Sequence, residues 1–201
     1  MRDDIKHYQG LIFDMDGTLI DSMGFHLLAW EQTASEYGFP YDAKWQHSLG
    51  GVPTNRTVEL INQRFNLSLD VDAVSLSKRL HWEAIARAPQ LIPSSYALFE
   101  QAFGRQKIAL GTGSNRQHAI EMLNQVNLLE KFDAIVTSCD VVNGKPSGDT
   151  FLLAAKGLGL EPAQCLVLED TEIGYQAAVA AGMDCLMVID GQLEPSIRKL
   201  D

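Results

Sequence analysis

The sequence predicts an α/β protein, a doubly wound parallel sheet carrying an inserted helical cap, and three observations predict it. Short apolar runs of strand length alternate with segments of helical period. The runs are apolar on both faces, as in parallel sheets covered by helices on both sides. From Ser22 to Ala88 that alternation stops, and only helical periodicity remains.

Leu11-Ile12-Phe13 follows Gly10 and closes on a polar turn containing Gly17, which reads as a buried strand. Leu27, Trp30, Ala34 and Tyr37 then make one helical stripe, and Gly38 with Pro40 ends that helix. Further helices are expected over Arg56–Phe65 and Asp70–Ala88, with strand-like patterning returning after Pro93. The later apolar runs are Lys107–Leu110, Ala134–Val136, Cys165–Leu168 and Cys185–Ile189. Between them Ala119, Met122, Leu123 and Val126, and again Phe151, Ala154, Ala155 and Leu158, recur at helical spacing. These assignments give an α/β core from residues 1–20 and 90–201 and a helical cap from 21–89. Such a cap lies over the carboxyl ends of the strands, where open α/β sheets bind ligands.

A chain of 201 residues suits one compact domain, or a core with a small appendage, and buries roughly 70% of its unfolded surface. Lys plus Arg number 16 against 26 Asp plus Glu, a net charge of -10. That field repels a phosphate backbone, so no nucleic-acid partner is expected. No run approaches the ~20 apolar residues of a membrane span, and residues 1–10 are charged and polar. Cys139, Cys165 and Cys185 are widely spaced and read as small buried hydrophobes in a reducing cytosol. A cytoplasmic monomer acting on a small molecule is the expectation.

Chemistry gathers at four strand ends. The first strand runs into Asp14-Met15-Asp16-Gly17-Thr18, whose two acids share a face in extended chain. Two close carboxylates repel unless a cation lies between them or one keeps its proton. Gly111-Thr112-Gly113-Ser114-Asn115 offers backbone N–H groups and hydroxyls to an anion at a helix start. Lys145-Pro146 follows Asn143-Gly144, and Leu166-Val167-Leu168 ends in Glu169-Asp170. Each signal alone has an ordinary reading as a turn, a helix cap or a solvated loop. Together, in this order, they specify a site.

In these four motifs the chain resembles the haloacid dehalogenase superfamily, which uses an aspartate nucleophile on a Rossmann-like fold. Asp14 to Thr18 match its first motif, Thr112 its second, Lys145-Pro146 its third and Glu169-Asp170 its fourth. The subgroup it is most similar to is the β-phosphoglucomutase-like hydrolases, particularly small bacterial phosphatases of fructose-1-phosphate and 6-phosphogluconate. Ser147-Gly148 stands where that family often has Ala-Pro, a change at the entry to the next helix.

The resemblance implies a phosphatase that works through an aspartyl-phosphate. Asp14 is the expected nucleophile and Asp16 the acid and then base. Thr112 and Lys145 are expected on the phosphoryl oxygens. Gly113, Ser114 and Asn115, with His26 and Arg56 from the cap, are the expected substrate contacts. Asp14, Asp16, Glu169 and Asp170 are the expected metal ligands. A charge count names the metal. Asp14, Glu169 and Asp170 against Lys145 leave about minus two facing a phosphate dianion, and each such pair at ~4 Å costs about 4 kcal/mol at an effective dielectric of ~20. One divalent cation cancels this, and all-oxygen ligands favour Mg2+.

Two rival readings differ in sequence. A β-phosphoglucomutase grips a second phosphate with an Arg directly after a cap-loop Gly-Val-Ser, whereas this loop reads Gly51-Val52-Pro53-Thr54-Asn55-Arg56. Gly113-Ser114-Asn115-Arg116 also departs from the mutase's Ser-Lys-Asn, although His26 matches a mutase histidine. A receiver-like phosphoacceptor module shares Asp, Thr, Lys and Mg2+, but it puts its acceptor on the third strand and has no cap. Phosphatase is the expected activity.

Overall fold

The computed structural model describes residues 4–85 and 88–200. Residues 1–3 and 201 of the expected core, and Ala86 and Arg87 of the helix expected over Asp70–Ala88, lie outside the described residues. In chain order the elements are β1 (Gly10–Phe13), α1 (Met23–Tyr37), α2 (Ala43–Ser48), α3 (Thr54–Phe65) and α4 (Val71–Ile85), then α5 (Pro93–Ala102), β2 (Lys107–Gly111) and α6 (Arg116–Gln125). They continue with β3 (Ala134–Val136), α7 (Asp149–Leu158), β4 (Cys165–Glu169), α8 (Glu172–Ala180), β5 (Asp184–Ile189) and β6 (Gln192–Leu193).

The sheet order is β3-β2-β1-β4-β5-β6. The first five strands pair in parallel, while β6 folds back antiparallel on β5 at the edge. Strand order reverses at β1, which lies between β2 and β4, and such a switch point is where doubly wound sheets take ligands. Register sets what meets there. Phe13 pairs with Leu110 on one side and Leu168 on the other, so Asp14, Gly111 and Glu169 end adjacent strands together.

The unbroken apolar runs follow from burial on both faces. Leu11 and Phe13, Ile108 and Leu110, and Leu166 and Leu168 enter one core with Leu98, Phe99 and Leu123. Their alternates Ile12, Ala109, Cys165 and Val167 enter a second core with Phe151, Ala154 and Ala177. The strand period of two is intact, and it separates two cores rather than core from water.

Helices α1 to α4 share a third core of Trp30, Ala34, Phe39, Val58, Ile61 and Val74. Gly38, at φ +71°, ends α1 in a left-handed cap that costs glycine little. The two strands of chain joining these helices to the sheet run side by side. Asp21 N donates to Gln90 O at 2.9 Å, and Ile92 N to Leu19 O at 2.9 Å.

Two features depart from the sequence reading. The segment after Pro93 is helix α5, with Pro93 in the first turn, where its missing N–H is no loss; strand structure resumes only at Lys107. Cys165 and Cys185 are buried as expected of small hydrophobes, but Cys139 is exposed. Among the described residues no helix is long and apolar enough to cross a membrane.

Candidate active site

Asp14 leaves β1 with its N–H bonded to Leu168 O at 3.0 Å, which locks its backbone to β4. Its Oδ1 accepts from Lys145 Nζ at 2.6 Å, and the same ammonium donates to Glu169 Oε1 at 2.6 Å. All three side chains are buried, with Phe151's ring 4.8 Å from the ammonium. Burial pulls Lys145 down, but Asp14 and Glu169 outweigh it and hold the ammonium above its ordinary range.

Glu169 serves as a brace. Its Oε2 accepts from Asp170 N, Thr171 N and Thr171 Oγ1 at 2.9, 3.0 and 3.1 Å, while Oε1 holds Lys145. Thr171 also caps α8 through Gly174 N at 3.0 Å. The pocket for this carboxylate exists because residue 174 has no side chain: a Cβ there would lie 1.9 Å from Glu169 Cδ. Gly174→Ala is therefore expected to lower unfolding free energy by about 3 kcal/mol, the top of the usual overpacking range. A urea melt with an unchanged midpoint would show that Glu169 is free to sit elsewhere.

Asp170 faces Asp14 across this brace, and Thr18 Oγ1 donates to its Oδ1 at 3.0 Å. Carboxylate oxygens of Asp14, Glu169 and Asp170 lie within 4.8 Å of one another. Burial pushes Asp14 up to about 7 despite Lys145, and burial with Glu169 and Asp14 pushes Asp170 up to about 9. A cation between the two would reverse both shifts. Glu169, with four hydrogen bonds on its two oxygens, has less capacity left to face one than Asp14 and Asp170.

Asp16 points elsewhere. Its Oδ1 accepts from Ser22 Oγ at 2.6 Å and lies 3.2 Å from His26 Nε2; its Oδ2 accepts from Ser114 Oγ at 2.7 Å. Of the four expected metal ligands, Asp16 has its side chain grouped with His26 and His118 and not with Asp14, Glu169 and Asp170. Burial raises its pKa, but His26 and His118 more than offset that and keep it well below the usual range. His26 in turn has Nδ1 2.7 Å from Lys78 Nζ. Burial and the neighbouring ammonium press His26 down to about 4, and burial brings Lys78 to about 8. With both ring nitrogens engaged, His26 orients Asp16 and has no free donor for a sugar.

Of the second-motif residues, Thr112 is buried and its Oγ1 accepts from Ser114 N at 3.0 Å. Asn115 caps α6 by accepting from His118 N at 2.9 Å. Gly113 lies directly under the cap loop, where a Cβ would be 2.0 Å from Gly51 O. That loop, from Gly50 to Pro53, also touches Thr171, Lys145 and Gly144, so α1 to α4 sit closed over the strand ends. Beneath them is a cavity of about 440 Å³ reached by Asp14, Asp16, Trp30, Trp82, Lys78 and Ser114.

Arg56 does not reach it. The expectation that Arg56 faces the sheet is corrected: it lies on the exposed side of α3, paired with Glu59 at 2.5 Å. The i, i+3 spacing on a helix made that partner available without the sheet. Lys78, Trp82 and His118 were not read from sequence. The first two share one face of α4 at i, i+4, and His118 lies in the first turn of α6, three residues after the helix-capping Asn115. Their placement is a matter of how α4 packs on α1 and meets α6, which no local pattern encodes.

Comparison with known proteins gives the family and the fold. Residues 8–182 match the haloacid dehalogenase-like hydrolase family. The chain is 39% identical over 188 residues to the fructose-1-phosphate phosphatase YqaB of Escherichia coli, covering 91% of this chain and 97% of that one. It is 29% identical over 192 residues to the β-phosphoglucomutase of Bacillus subtilis, covering 92% and 84%. The crystal structure of a β-phosphoglucomutase from Clostridium difficile superposes with a TM-score of 0.77 at 26% identity, covering 89% of this chain and 83% of the other.

Proposed function

The chain belongs to the haloacid dehalogenase-like hydrolases, and from that premise we propose that it is a phosphatase of small, uncharged sugar monophosphates working through an aspartyl-phosphate. The observation that carries the reading is a nucleophile held under a cavity whose described cap cations are already engaged by neighbouring side chains. Lys78 is bonded to His26, Arg79 lies 3.9 Å from Glu83, and Arg56 is turned to Glu59. Among the described residues none of these three cations is laid out as a ready grip for a second phosphate, which argues for hydrolysis over a mutase's return of the phosphoryl group. Glu121 at the cavity wall favours a neutral ketose or aldose over a sugar acid. The 39% identity to a fructose-1-phosphate phosphatase supports the same substrate class.

In this mechanism Asp14 Oδ attacks phosphorus in line while Asp16 serves the leaving sugar oxygen. Asp16 rests ionised, and an arriving phosphate dianion raises its proton affinity through like-charge repulsion. Asp16 thus takes up a proton from solvent with the substrate and passes it to the leaving sugar oxygen. His26 and Ser114 fix its orientation, so the same carboxylate is aligned to take a proton from water in the second step. Lys145 and the Thr112 hydroxyl receive the phosphoryl oxygens, and α1 to α4 exclude bulk water until product leaves. The donor set fits Mg2+: all oxygen, with two carboxylates raised by burial and mutual repulsion. Asp14 and Asp170 would hold it, and bound there it would neutralise charge on the phosphoryl group. Three free cysteines, one exposed, accord with a reducing, cytoplasmic address.

The test is phosphate release from fructose-1-phosphate, hexose-6-phosphates, 6-phosphogluconate and β-glucose-1-phosphate with a bisphosphate primer. Release from a neutral sugar phosphate is expected with Mg2+, and none after chelation. Glucose-6-phosphate accumulating faster than free phosphate would give the activity to a mutase. Stoichiometric labelling without turnover would give it to a receiver-like module. Asp16→Ala should cut turnover by about 10²–10⁴. A substrate whose leaving group needs no proton should recover much of the first step. No recovery with a nitrophenyl phosphate would remove Asp16 from the acid role.

A further inference from the structure

Asp16, His26 and His118 form a second cluster of ligating side chains, apart from Asp14 and Asp170. Their ligand atoms lie within 4.8 Å of one another. His26 Nε2 is 3.2 Å and His118 Nε2 3.9 Å from one atom, Asp16 Oδ1. Ligand atoms around a tetrahedral zinc at about 2.0–2.1 Å are about 3.3 Å apart, so these separations fit such an ion after a shift of about half an ångström at His118. Two further observations point to a ligand. His118 Nε2 is buried with no hydrogen-bond partner, a costly state for a ring nitrogen. Ser22 Oγ occupies one lone pair of Asp16 Oδ1 at 2.6 Å, leaving the other for whatever lies between the histidines.

We propose that Asp16, His26 and His118 bind a late first-row divalent cation, of which Zn2+ is the type, and that its binding stops phosphate release. Two imidazoles and one carboxylate select such ions, whereas Mg2+ prefers oxygen alone, so the two clusters sort two classes of metal. The protons balance as follows. His26 must offer a lone pair at Nε2, so its proton moves to Nδ1, 2.7 Å from Lys78 Nζ. Lys78 then accepts that bond as the free amine, and its proton passes to solvent. Inhibition rests on Asp16 being the acid and base of the reaction; the metal site does not.

Co2+ added to the whole protein in saturating Mg2+ is the probe, because its visible bands report low-coordinate nitrogen and oxygen sites. The wild type is expected to bind one equivalent with such bands, and Asp170→Asn to keep them. His118→Ala should lose them, with affinity falling by more than the about 10–100-fold that an outer-sphere partner is worth. His118→Gln, which fills the space that Ala vacates, should lose them too. Zn2+ should halt phosphate release from the wild type at concentrations that leave both His118 variants at their own uninhibited rates. A wild type without bands, bands surviving in both His118 variants, or bands lost in Asp170→Asn would overturn the site. Bands accompanied by undiminished phosphate release overturn the inhibition, and with it the role of Asp16, while the site stands.

Discussion

Asp14→Asn is expected to give a folded protein whose turnover falls on the order of 10⁴-fold or more. The substitution keeps the size of a residue that is 3% exposed. Its amide oxygen still accepts from Lys145 Nζ, so the bond that now measures 2.6 Å survives. One negative charge leaves a cluster in which burial and Glu169 already push Asp14 up to about 7, so stability should hold or rise. What disappears is the lone-pair anion that attacks phosphorus, and no neighbour replaces it. Glu169 has both oxygens engaged, and Asp170 is held from Thr18. Thermal melts alongside phosphate release, on a sugar phosphate and on an aryl phosphate, separate the two effects. Release near the wild-type rate by a folded Asn variant would remove Asp14 from the nucleophile's role.

How far the sequence carried this site depends on the range of the forces involved. Asp14, Thr112 and Glu169 were legible because each lies at the end of a buried apolar run, and strand register brings those ends together. Lys145, in the loop after β3, was legible only through its motif. The helical insertion was legible because its stripe from Leu27 to Tyr37 buries Trp30 and Ala34 in a core of its own. Helix α2 was not, being six residues opened by Asp42 on Lys44 N and Trp45 N, too short to show a period. Arg56 was misplaced because a cation near a loop carries no information about which helix face it occupies. His118 and Lys78 were missed for the converse reason. Their relation to Asp16 spans about a hundred residues in one case and about sixty in the other, and exists only once α6 and, through α1, α4 are packed around the end of β1.

Lys145→Met is the substitution expected to damage both fold and activity. The ammonium is fully buried, 2.6 Å from a carboxylate oxygen on either side. A surface pair such as Arg56–Glu59 is worth about 0–1 kcal/mol, but removing one partner of a buried pair strands the other without solvent and costs about 3–5 kcal/mol. Here two carboxylates are stranded, with Asp170 close by and itself pushed up to about 9 by burial and its acidic neighbours. The single variant should therefore melt well below the wild type and show no turnover. Adding Glu169→Gln separates the causes. It removes one stranded charge and keeps an acceptor for Asp170 N and Thr171 N, which the carboxylate now holds at 2.9 and 3.0 Å. Most of the lost stability should return. Activity should not, because the ammonium that would meet the phosphoryl oxygens beside Asp14 is gone. A single variant as stable as the wild type would mean that Asp14 and Glu169 do not depend on Lys145 for compensation. An active double variant would mean that the cation serves the fold alone, and that positive charge for the transferred group comes from elsewhere.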